Sequence, residues 1–376
     1  MQTHPFPAEQ NTSVPLAETA SAHRRPRDFT RRDFLSASAV LATSGVIAAS
    51  VGNAAPNEPA TSSQAPAPRK GTRPSTDRAH FWPNGARLCV SLSMQFEAGG
   101  QPISGAGGPI TEPIEPGYPD LGTNGFFEYG IDEGMPRMLD LFDKHEIKVT
   151  SFMIGEAILK HPELAAEIVG RGHEPAAHGQ RWEPQYTFPP EKERATIQNC
   201  LDSIVKVTGQ RPSGYDCYWM RGSVRTLGLL QELGFTYHNN DMNRDEPFVQ
   251  DINGKPFVSV PYTFHMNDIV AYGFTGFSPA DYEQQLHDEF DQLYEEGASR
   301  RRMMLVSLHD RLSGHASRVR VLDRFLSYAK SRPDVWFARK DEIARHALAT
   351  PDITPQVVRK VSEISGLPAN TNQKEG

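Results

Sequence analysis

The chain is organised around the stretch Gly172-His173-Glu174-Pro175-Ala176-Ala177-His178-Gly179-Gln180-Arg181-Trp182. A helix-like run over residues 162–171 ends at the first glycine of this stretch. The short extended piece 174–177 then brings His178 to the carboxyl end of a predicted strand, and the glycine that follows leaves the backbone room. In α/β folds, functional sites are built at that edge of the sheet.

Two other predicted strands also end in a titratable side chain. The apolar run 90–96 is followed by Glu97 and, one residue later, by two glycines, and the run 303–308 is followed by His309. A single histidine or glutamate in such a place is more often a loop or core residue. Three such strand ends in one chain are typical of a hydrolytic site, so Glu97, His178 and His309 are the candidate catalytic residues.

Composition limits the function further. The 376 residues are 38% hydrophobic and 23% charged, which suffices for one large barrel or two ordinary domains. The net charge is −7 and the body of the chain has no dense basic patch, so nucleic acid is not an expected partner. The cysteines, Cys89, Cys200 and Cys217, lack metal-type spacing. Cys200 and Cys217 could pair, but the odd count favours free, buried thiols.

Residues 1–55 have the pattern of a twin-arginine export signal. The motif Arg31-Arg32-Asp33-Phe34-Leu35 is followed by a mildly apolar run over residues 36–51. Because that run contains serine, threonine and glycine, it is not hydrophobic enough to predict a membrane span. We therefore expect a bacterial protein that is periplasmic or secreted, with no stable membrane span after signal cleavage. The alternative is a disordered basic terminus.

The rest of the chain divides into three predicted parts. A Pro-, Ser- and Ala-rich linker covers residues 56–78, a globular domain covers 79–350 and a loose tail covers 351–376. In the globular part about seven or eight short strands alternate with helices, which is the size and pattern of a (β/α) barrel. A doubly wound open sheet is the structural alternative, but no glycine-rich phosphate loop opens a helix after a strand.

Hydrophobic periodicity and cap residues predict the individual elements. The predicted strands cover residues 87–95, 149–154, 174–177, 211–215, 235–239, 257–261, 303–308 and 335–337. The predicted helices cover residues 134–145, 156–171, 189–208, 223–233, 278–296, 319–331 and 341–348. A proline-rich loop over residues 111–127 is predicted beside the first strand end, where it would form a lid or pocket wall.

With these motifs in order, the chain resembles the polysaccharide deacetylase (NodB-homology) family over about residues 80–350. Gln95-Phe96-Glu97-Ala98-Gly99 is similar to the family's Thr-Phe-Asp-Asp-Gly motif, and 178–182 is similar to its His-x-x-x-His motif. Residues 211–215 and Leu308-His309 resemble two later family elements. The resemblance implies an irregular (β/α) barrel of about seven strands and a hydrolase of carbon–nitrogen bonds outside peptides.

The departures from the family pattern concern its metal site. Family members hold a metal with an aspartate and two histidines, whereas this chain has Ala98 at the aspartate position and Trp182 at the second histidine position. Only His178 is retained, and zinc requires three protein ligands. The resemblance therefore implies that no cofactor is needed. The alternative is zinc or another divalent metal, with His178 as a ligand.

The same departures are similar to the allantoinase-like and imidase-like branch of the family. That branch hydrolyses small cyclic or linear amides, in some members without a metal. The resemblance thus predicts a small amide, imide or ureide as the substrate. Two alternatives stay open: a metal-dependent carbohydrate N-deacetylase, and a catalytically inactive barrel that binds a glycan. Monomer and homo-oligomer also stay open.

The family motifs imply roles for the candidate catalytic residues. Glu97 would act as the general base or orient the attacking water. His178 would bind the carbonyl oxygen or hold the water. His309 would donate a proton to the leaving nitrogen, since an imidazole can do so near neutral pH. Each residue also has a non-catalytic alternative. Glu97 would be a turn carboxylate, His178 would lie behind the site without touching the substrate, and His309 would lie at the bottom of the barrel.

Six further residues are candidate substrate contacts. Trp182 would form a wall for a flat substrate, although a core tryptophan is equally compatible with the pattern. Arg181 would stabilise an anionic group or sit in a surface ion pair. The remaining polar candidates for the pocket are Tyr215, Asp245, Asn267 and Asp268.

Overall fold

The computed structural model describes residues 81–110 and 112–350, and the backbone of residues 356–357. The predicted export signal at 1–55 and the linker at 56–78 lie outside the described residues, as does most of the predicted tail. In the part that is described, no helix is long and apolar enough to cross a membrane.

A single ten-stranded sheet forms the centre of the described chain. Its strands are β1 (Leu88–Phe96), β2 (Thr150–Met153), β3 (Glu174–Ala177), β4 (Gly214–Tyr215), β5 (Tyr237–His238), β6 (Phe248–Ile252), β7 (Lys255–Ser259), β8 (Met303–His309), β9 (Val335–Phe337) and β10 (Gln356–Val357). The spatial order is β10-β6-β7-β5-β4-β3-β2-β1-β8, and β9 also pairs with β1. All pairs are parallel except β6 with β7.

The sheet curls into an irregular (β/α) barrel, as predicted. Asn267, which follows β7, forms an isolated parallel bridge to Ser307 of β8, so the chain after β7 lies against β8 at one end of the curled sheet. All nine residues of β1 and all seven of β8 are buried. Burial on both faces is expected of parallel strands that are covered by helices.

The helices that cover the sheet are α1 (Leu121–Tyr129), α2 (Met135–Lys144), α3 (Gly155–Lys160), α4 (Pro162–Gly170), α5 (Pro190–Thr208), α6 (Thr226–Glu232), α7 (Pro279–Glu296), α8 (Asp310–Ser313), α9 (Ala316–Ser331) and α10 (Lys340–Ala349). Most lie within a few residues of their predicted positions. For example, α7 begins after Ser278, whose side chain accepts from the main-chain N–H of Asp281 in a capping box.

Two predicted elements were wrong. The single helix predicted over 156–171 is broken at His161, because the following Pro162 disfavours helical geometry there (φ −125°, ψ 59°). The predicted loop over 111–127 contains the start of α1, which is capped by Asp120. Within the predicted tail at 351–376, the two residues of β10 pair with β6.

The hairpin of β6 and β7 was not predicted. Its turn is Asn253-Gly254, with φ values of 53° and 77°. Asn-Gly is the strongest short-range hairpin signal, because both central residues of a type I′ turn need positive φ. The signal was therefore present in the sequence.

All three cysteines are free and buried, as predicted. Cys200 and Cys217 do not form a disulfide.

The strand register brings the candidate residues to one edge of the sheet. Gln95 of β1 pairs with His309 of β8 on one side and with Phe152 of β2 on the other. Met153 of β2 in turn pairs with Ala177, the last residue of β3. The residues that follow β1 and β3 therefore reach the same carboxyl edge as the end of β8.

Candidate active site

Glu97 lies at the centre of the candidate site, directly after β1. Its side chain is 1% exposed. Its Oε1 atom is 3.5 Å from Nε2 of His178 and 3.7 Å from Nε2 of His309. Its Oε2 atom is 2.6 Å from Nη1 of Arg311. The fold thus brings together the three predicted catalytic residues and adds an arginine that was not among the predicted site residues.

Both histidine rings are held so that Nε2 faces Glu97. The Nδ1 atom of His178 donates to the carbonyl oxygen of Asp216 at 2.8 Å. The Nδ1 atom of His309 donates to Oδ1 of Asp268 at 2.6 Å, and the main-chain N–H of His309 donates to Oδ2 at 2.7 Å. Asp268 also accepts from the Ser313 hydroxyl at 2.7 Å. Since Asp268 is fully buried, it positions His309 and does not line the pocket as a substrate contact.

Arg311 reaches the site from α8, which begins directly after His309. Its guanidinium lies over the Phe127 ring of α1, 4.1 Å from the ring centroid. Its main-chain N–H donates to Oδ1 of Asp310 at 2.6 Å. No local sequence pattern at Arg311 signals a role in the site, because the need of a buried charge for a partner becomes visible only once the fold is known.

The position of α8 depends on a close approach to Gly134, in the π-helical turn Gly130–Gly134 between α1 and α2. A Cβ atom at Gly134 would overlap the carbonyl oxygen of Asp310. We expect Gly134→Ala to lower the free energy of unfolding by about 1–3 kcal/mol, because backbone must shift to admit the methyl group. It should also lower kcat, because α8 carries Arg311.

Gly125→Ala is the matched control, since Gly125 lies in α1 and a methyl group added there would meet only open space. Urea unfolding of both variants, followed by kinetics, checks the expectation. An unchanged unfolding midpoint for Gly134→Ala would show that α8 can move freely.

The charges around Glu97 decide its ionisation. Burial by itself raises the pKa of Glu97, but the charges of Arg311, His309 and His178 outweigh it and hold that pKa well below its usual range. Burial lowers the pKa of His178, yet the nearby Glu97 carboxylate and the charge of Asp216 outweigh burial and raise that pKa. Glu97 is therefore a stable anion and, for the same reason, a weak base.

Two other buried carboxyl groups lie next to this cluster. Burial raises the pKa of Asp216 to about 7, although His178 and Lys340 act against it. Burial raises the pKa of Asp310 to about 7 as well, against the charge of Arg311. Both groups change charge near neutral pH, whereas Glu97 does not.

A small cavity of about 20 Å³ opens onto these groups, with room for about one water molecule. Its lining residues are Gln95, Glu97, His178, Trp182, Asp216, Trp219, Tyr262, Asn267, Ile269 and His309. Of the predicted substrate contacts, Trp182 and Asn267 reach the cavity. Asp216, Trp219 and Tyr262 were missed.

Aromatic rings cover one side of the cavity. The ring of Trp182 is 5.1 Å from that of His178 and 4.5 Å from that of Tyr218. Trp219 stacks on Phe274 with centroids 5.6 Å apart. We call Trp182, Tyr218 and Trp219 the aromatic wall. Trp219 has a φ of 51°, which a bulky side chain rarely adopts, so the surrounding structure holds this part of the wall in a strained conformation.

Three predicted substrate contacts lie elsewhere. Arg181 is exposed and pairs with Glu156 at 3.3 Å, which is the surface ion pair that was left open. Tyr215 is fully buried, and its hydroxyl donates to Gln185. The carbonyl of Asp245 accepts from the main-chain N–H of Met303 at 2.8 Å. Met303 begins β8, so it lies about 20 Å along the strand from His309.

The donor set does not fit the zinc site of the family. Among the described residues, no group of three His, Cys, Asp or Glu side chains could hold a metal ion. Ala98 and Trp182 offer no ligand atom, and Arg311 already pairs with Oε2 of Glu97. The guanidinium would also repel a second cation at this carboxylate.

Comparisons with known proteins agree with the fold and with the motifs. The family model described as polysaccharide deacetylase matches residues 126–238. A relative from Schizosaccharomyces pombe, named as a polysaccharide deacetylase, is 30% identical over 293 residues. The match covers 70% of this chain and 91% of the relative. The peptidoglycan deacetylase of Helicobacter pylori is 27% identical over 213 residues, covering 47% of this chain and 71% of that protein.

Two solved structures resemble the chain along most of its described length. The crystal structure of Puue allantoinase is 32% identical, with a TM-score of 0.68, and the match covers 73% of this chain and 95% of that one. A polysaccharide deacetylase structure from Pseudomonas aeruginosa PAO1 is also 32% identical, with a TM-score of 0.66 and coverage of 71% and 93%.

Proposed function

Because the chain belongs to the polysaccharide deacetylase family, whose enzymes hydrolyse carbon–nitrogen bonds other than peptide bonds, we propose that its substrate is a small amide, imide or ureide. The observation that carries this proposal is the position of Trp182, whose ring lies 5.1 Å from that of His178 where the family pattern has a metal ligand. The small cavity beside these rings has room for the attacking water. A flat amide or imide can stack on such an aromatic face. The resemblance to an allantoinase structure supports the same substrate class.

In the proposed mechanism Glu97 orients the attacking water and does not act as the base. Its lowered pKa makes it a poor proton acceptor, but its fixed negative charge can hold a water hydrogen. Of the two roles considered for Glu97, the pairing with Arg311 favours this one. In the neutral form of His309, whose Nδ1–H donates to Asp268, Nε2 accepts the proton of the water.

The reaction then proceeds by addition of the water to the amide carbon and departure of the nitrogen. The water oxygen bonds to the amide carbon, and its proton moves to His309. His178 donates a hydrogen bond from Nε2 to the oxygen that becomes negative, which its raised pKa favours. His309 returns the proton to the nitrogen as the carbon–nitrogen bond breaks. The products are a carboxylic acid and an amine or amide.

Two other candidates each have an observation in their favour. The similarity to a peptidoglycan deacetylase favours a glycan N-deacetylase, and zinc or another divalent metal would then be expected. The ion pair between Glu97 and Arg311 favours an inactive glycan-binding barrel, because it weakens Glu97 as a base. The proposed mechanism is compatible with this ion pair, because it requires the negative charge of Glu97 and does not require Glu97 to accept a proton.

We also propose that the protein is exported from the cytoplasm. The motif at residues 31–35 supports export by the twin-arginine route to the periplasm or the exterior, and cell fractionation of the full chain would test it. The net charge of −7 supports a small-molecule or glycan partner over nucleic acid.

The test is hydrolysis by the purified protein of two substrate panels, each with and without a chelator. One panel contains cyclic imides, hydantoins and linear ureides, and the other contains N-acetylated chitooligosaccharides. We expect turnover of the first panel that survives chelation. Elemental analysis of the same preparation reports bound metal.

Stoichiometric zinc with chelator-sensitive acetate release would instead establish the glycan deacetylase. Absence of turnover on both panels, with retained glycan binding, would leave the inactive barrel.

A further inference from the structure

We propose that Arg311 is the fixed cation of this site, which pins one oxygen of Glu97 so that the other faces both histidines and the attacking water. In this view the guanidinium supplies a permanent positive charge beside Glu97, in a site that lacks two of the family's three metal ligands. The inference rests on the proposed function for its kinetic consequence, but not for its physical one, which can be measured without a substrate.

The ion pair between Arg311 and Glu97 is close and shielded from water. Nη1 of Arg311 lies 2.6 Å from Oε2 of Glu97, and the two side chains are 6% and 1% exposed. The Phe127 ring covers the guanidinium at 4.1 Å. A buried ion pair of this kind interacts far more strongly than one on the surface, and removal of either partner leaves an uncompensated buried charge.

The backbone that carries Arg311 is firmly placed. Arg311 lies two residues after His309, the last residue of β8, and Gly314 follows α8 before α9 begins. The carbonyl of Gly314 accepts a hydrogen bond from Arg137 of α2, and Asp310 packs against Gly134. Arg311 is therefore delivered by the same strand as His309 and is not a mobile surface arm.

The positions of the two lost family ligands point to the same role for Arg311. Ala98 and Trp182 replace those ligands, and the remaining carboxylate is paired with Arg311. A buried Glu97 without any cation would be destabilised as an anion. Without those ligands the site would have no metal ion to supply positive charge, and Arg311 supplies a positive charge beside Glu97.

Several charged or titratable groups face Glu97 and set its response to the loss of Arg311. Those that favour its anion are Arg311, His309 and His178. Those on neighbouring elements that interact with it are Asp216, Asp310 and Tyr262. Burial disfavours the Glu97 anion, and negative charge on Asp216 or Asp310 would repel it. Loss of Arg311 should therefore raise the pKa of Glu97. Ionisation of Glu97, and with it activity, would then be lost as the pH falls through the raised value.

The experiment compares Arg311→Gln, Arg311→Lys and the control Arg320→Gln, an exposed arginine on α9. We expect Arg311→Gln to lower kcat about a hundredfold at pH 7 with little change in KM, and to regain activity as the pH rises. Arg311→Lys should retain kcat within about tenfold, because it keeps the charge without the planar fork. Arg320→Gln should match the parent.

Infrared difference spectra give the readout that needs no substrate. The spectrum of the single variant Arg311→Gln is compared with that of the double variant that also carries Glu97→Gln. The difference between the two spectra reports whether Glu97 carries a proton. A protonated carboxyl band at pH 6 that is absent in the parent supports the proposal. If Glu97 is ionised in both proteins, and the pH profiles coincide, the proposal is overturned.

These outcomes separate the two hypotheses. Absence of turnover in the parent defeats the proposed function, and the infrared result still decides the role of Arg311. If Arg311→Gln does not fold, the lysine variant decides: a kcat within about tenfold of the parent supports a charge role, and a loss as large as about a hundredfold contradicts it.

Discussion

Replacement of Glu97 by glutamine is expected to lower kcat/KM for the small amide substrate about a thousandfold. Glutamine keeps the shape but removes the negative charge that faces both Nε2 atoms at 3.5 and 3.7 Å. It also leaves Arg311 buried without a counter-ion, so we expect the free energy of unfolding to fall by about 3 kcal/mol. Steady-state kinetics and urea unfolding of the same preparation measure the two effects.

Glu163→Gln is the matched control, since Glu163 is an exposed glutamate in the first turn of α4. It should change neither quantity appreciably. A Glu97→Gln protein that folds and keeps more than about a tenth of the parent's activity would show that Glu97 neither orients water nor acts as the base.

Replacement of Asp268 by asparagine is the second large effect that we expect. The two oxygens of Asp268 accept from Nδ1 and from the main-chain N–H of His309 at 2.6 and 2.7 Å. An asparagine has only one oxygen, so its amide group would face one of these donors and turn the imidazole or reverse its tautomer. We expect kcat to fall about a hundredfold to ten-thousandfold, with a smaller change in KM.

A double-mutant cycle tests whether Asp268 acts through His309. The loss in Asp268→Asn with His309→Gln should be no greater than the loss in His309→Gln alone, because groups that act as a unit are not additive. Asp202→Asn, at an exposed position on α5, serves as the control. Fully additive losses would show that Asp268 affects the reaction by another route.

The candidate catalytic cluster could be predicted from the sequence because it depends on strand ends. Glu97, His178 and His309 each follow or end a parallel strand, and the carboxyl ends of parallel strands share one edge of the sheet. The alternation of strands and helices similarly predicted the barrel. Both features come from periodicity and from order along the chain, which a single sequence contains.

The residues that were misassigned from the sequence depend on side-chain direction and on long-range pairing. In the two-residue strand β4, Tyr215 is packed in the core while the next residue, Asp216, lines the cavity. Successive side chains of an extended chain point in opposite directions, so an error of one residue exchanges core for site. The pairing of Arg311 with Glu97 joins residues that are far apart in the sequence, and no local pattern signals it.

The pairing of β8 with β1 also affects how the site would unfold. Seven consecutive residues of β8 are in register with β1, and the main-chain N–H of His309 is bonded to a fully buried Asp268. Amide hydrogen exchange at His309 should therefore require the opening of the whole barrel, whereas amides near an exposed turn exchange through local opening. In that case the site has no partly disassembled state of its own, and it is lost only when the barrel unfolds.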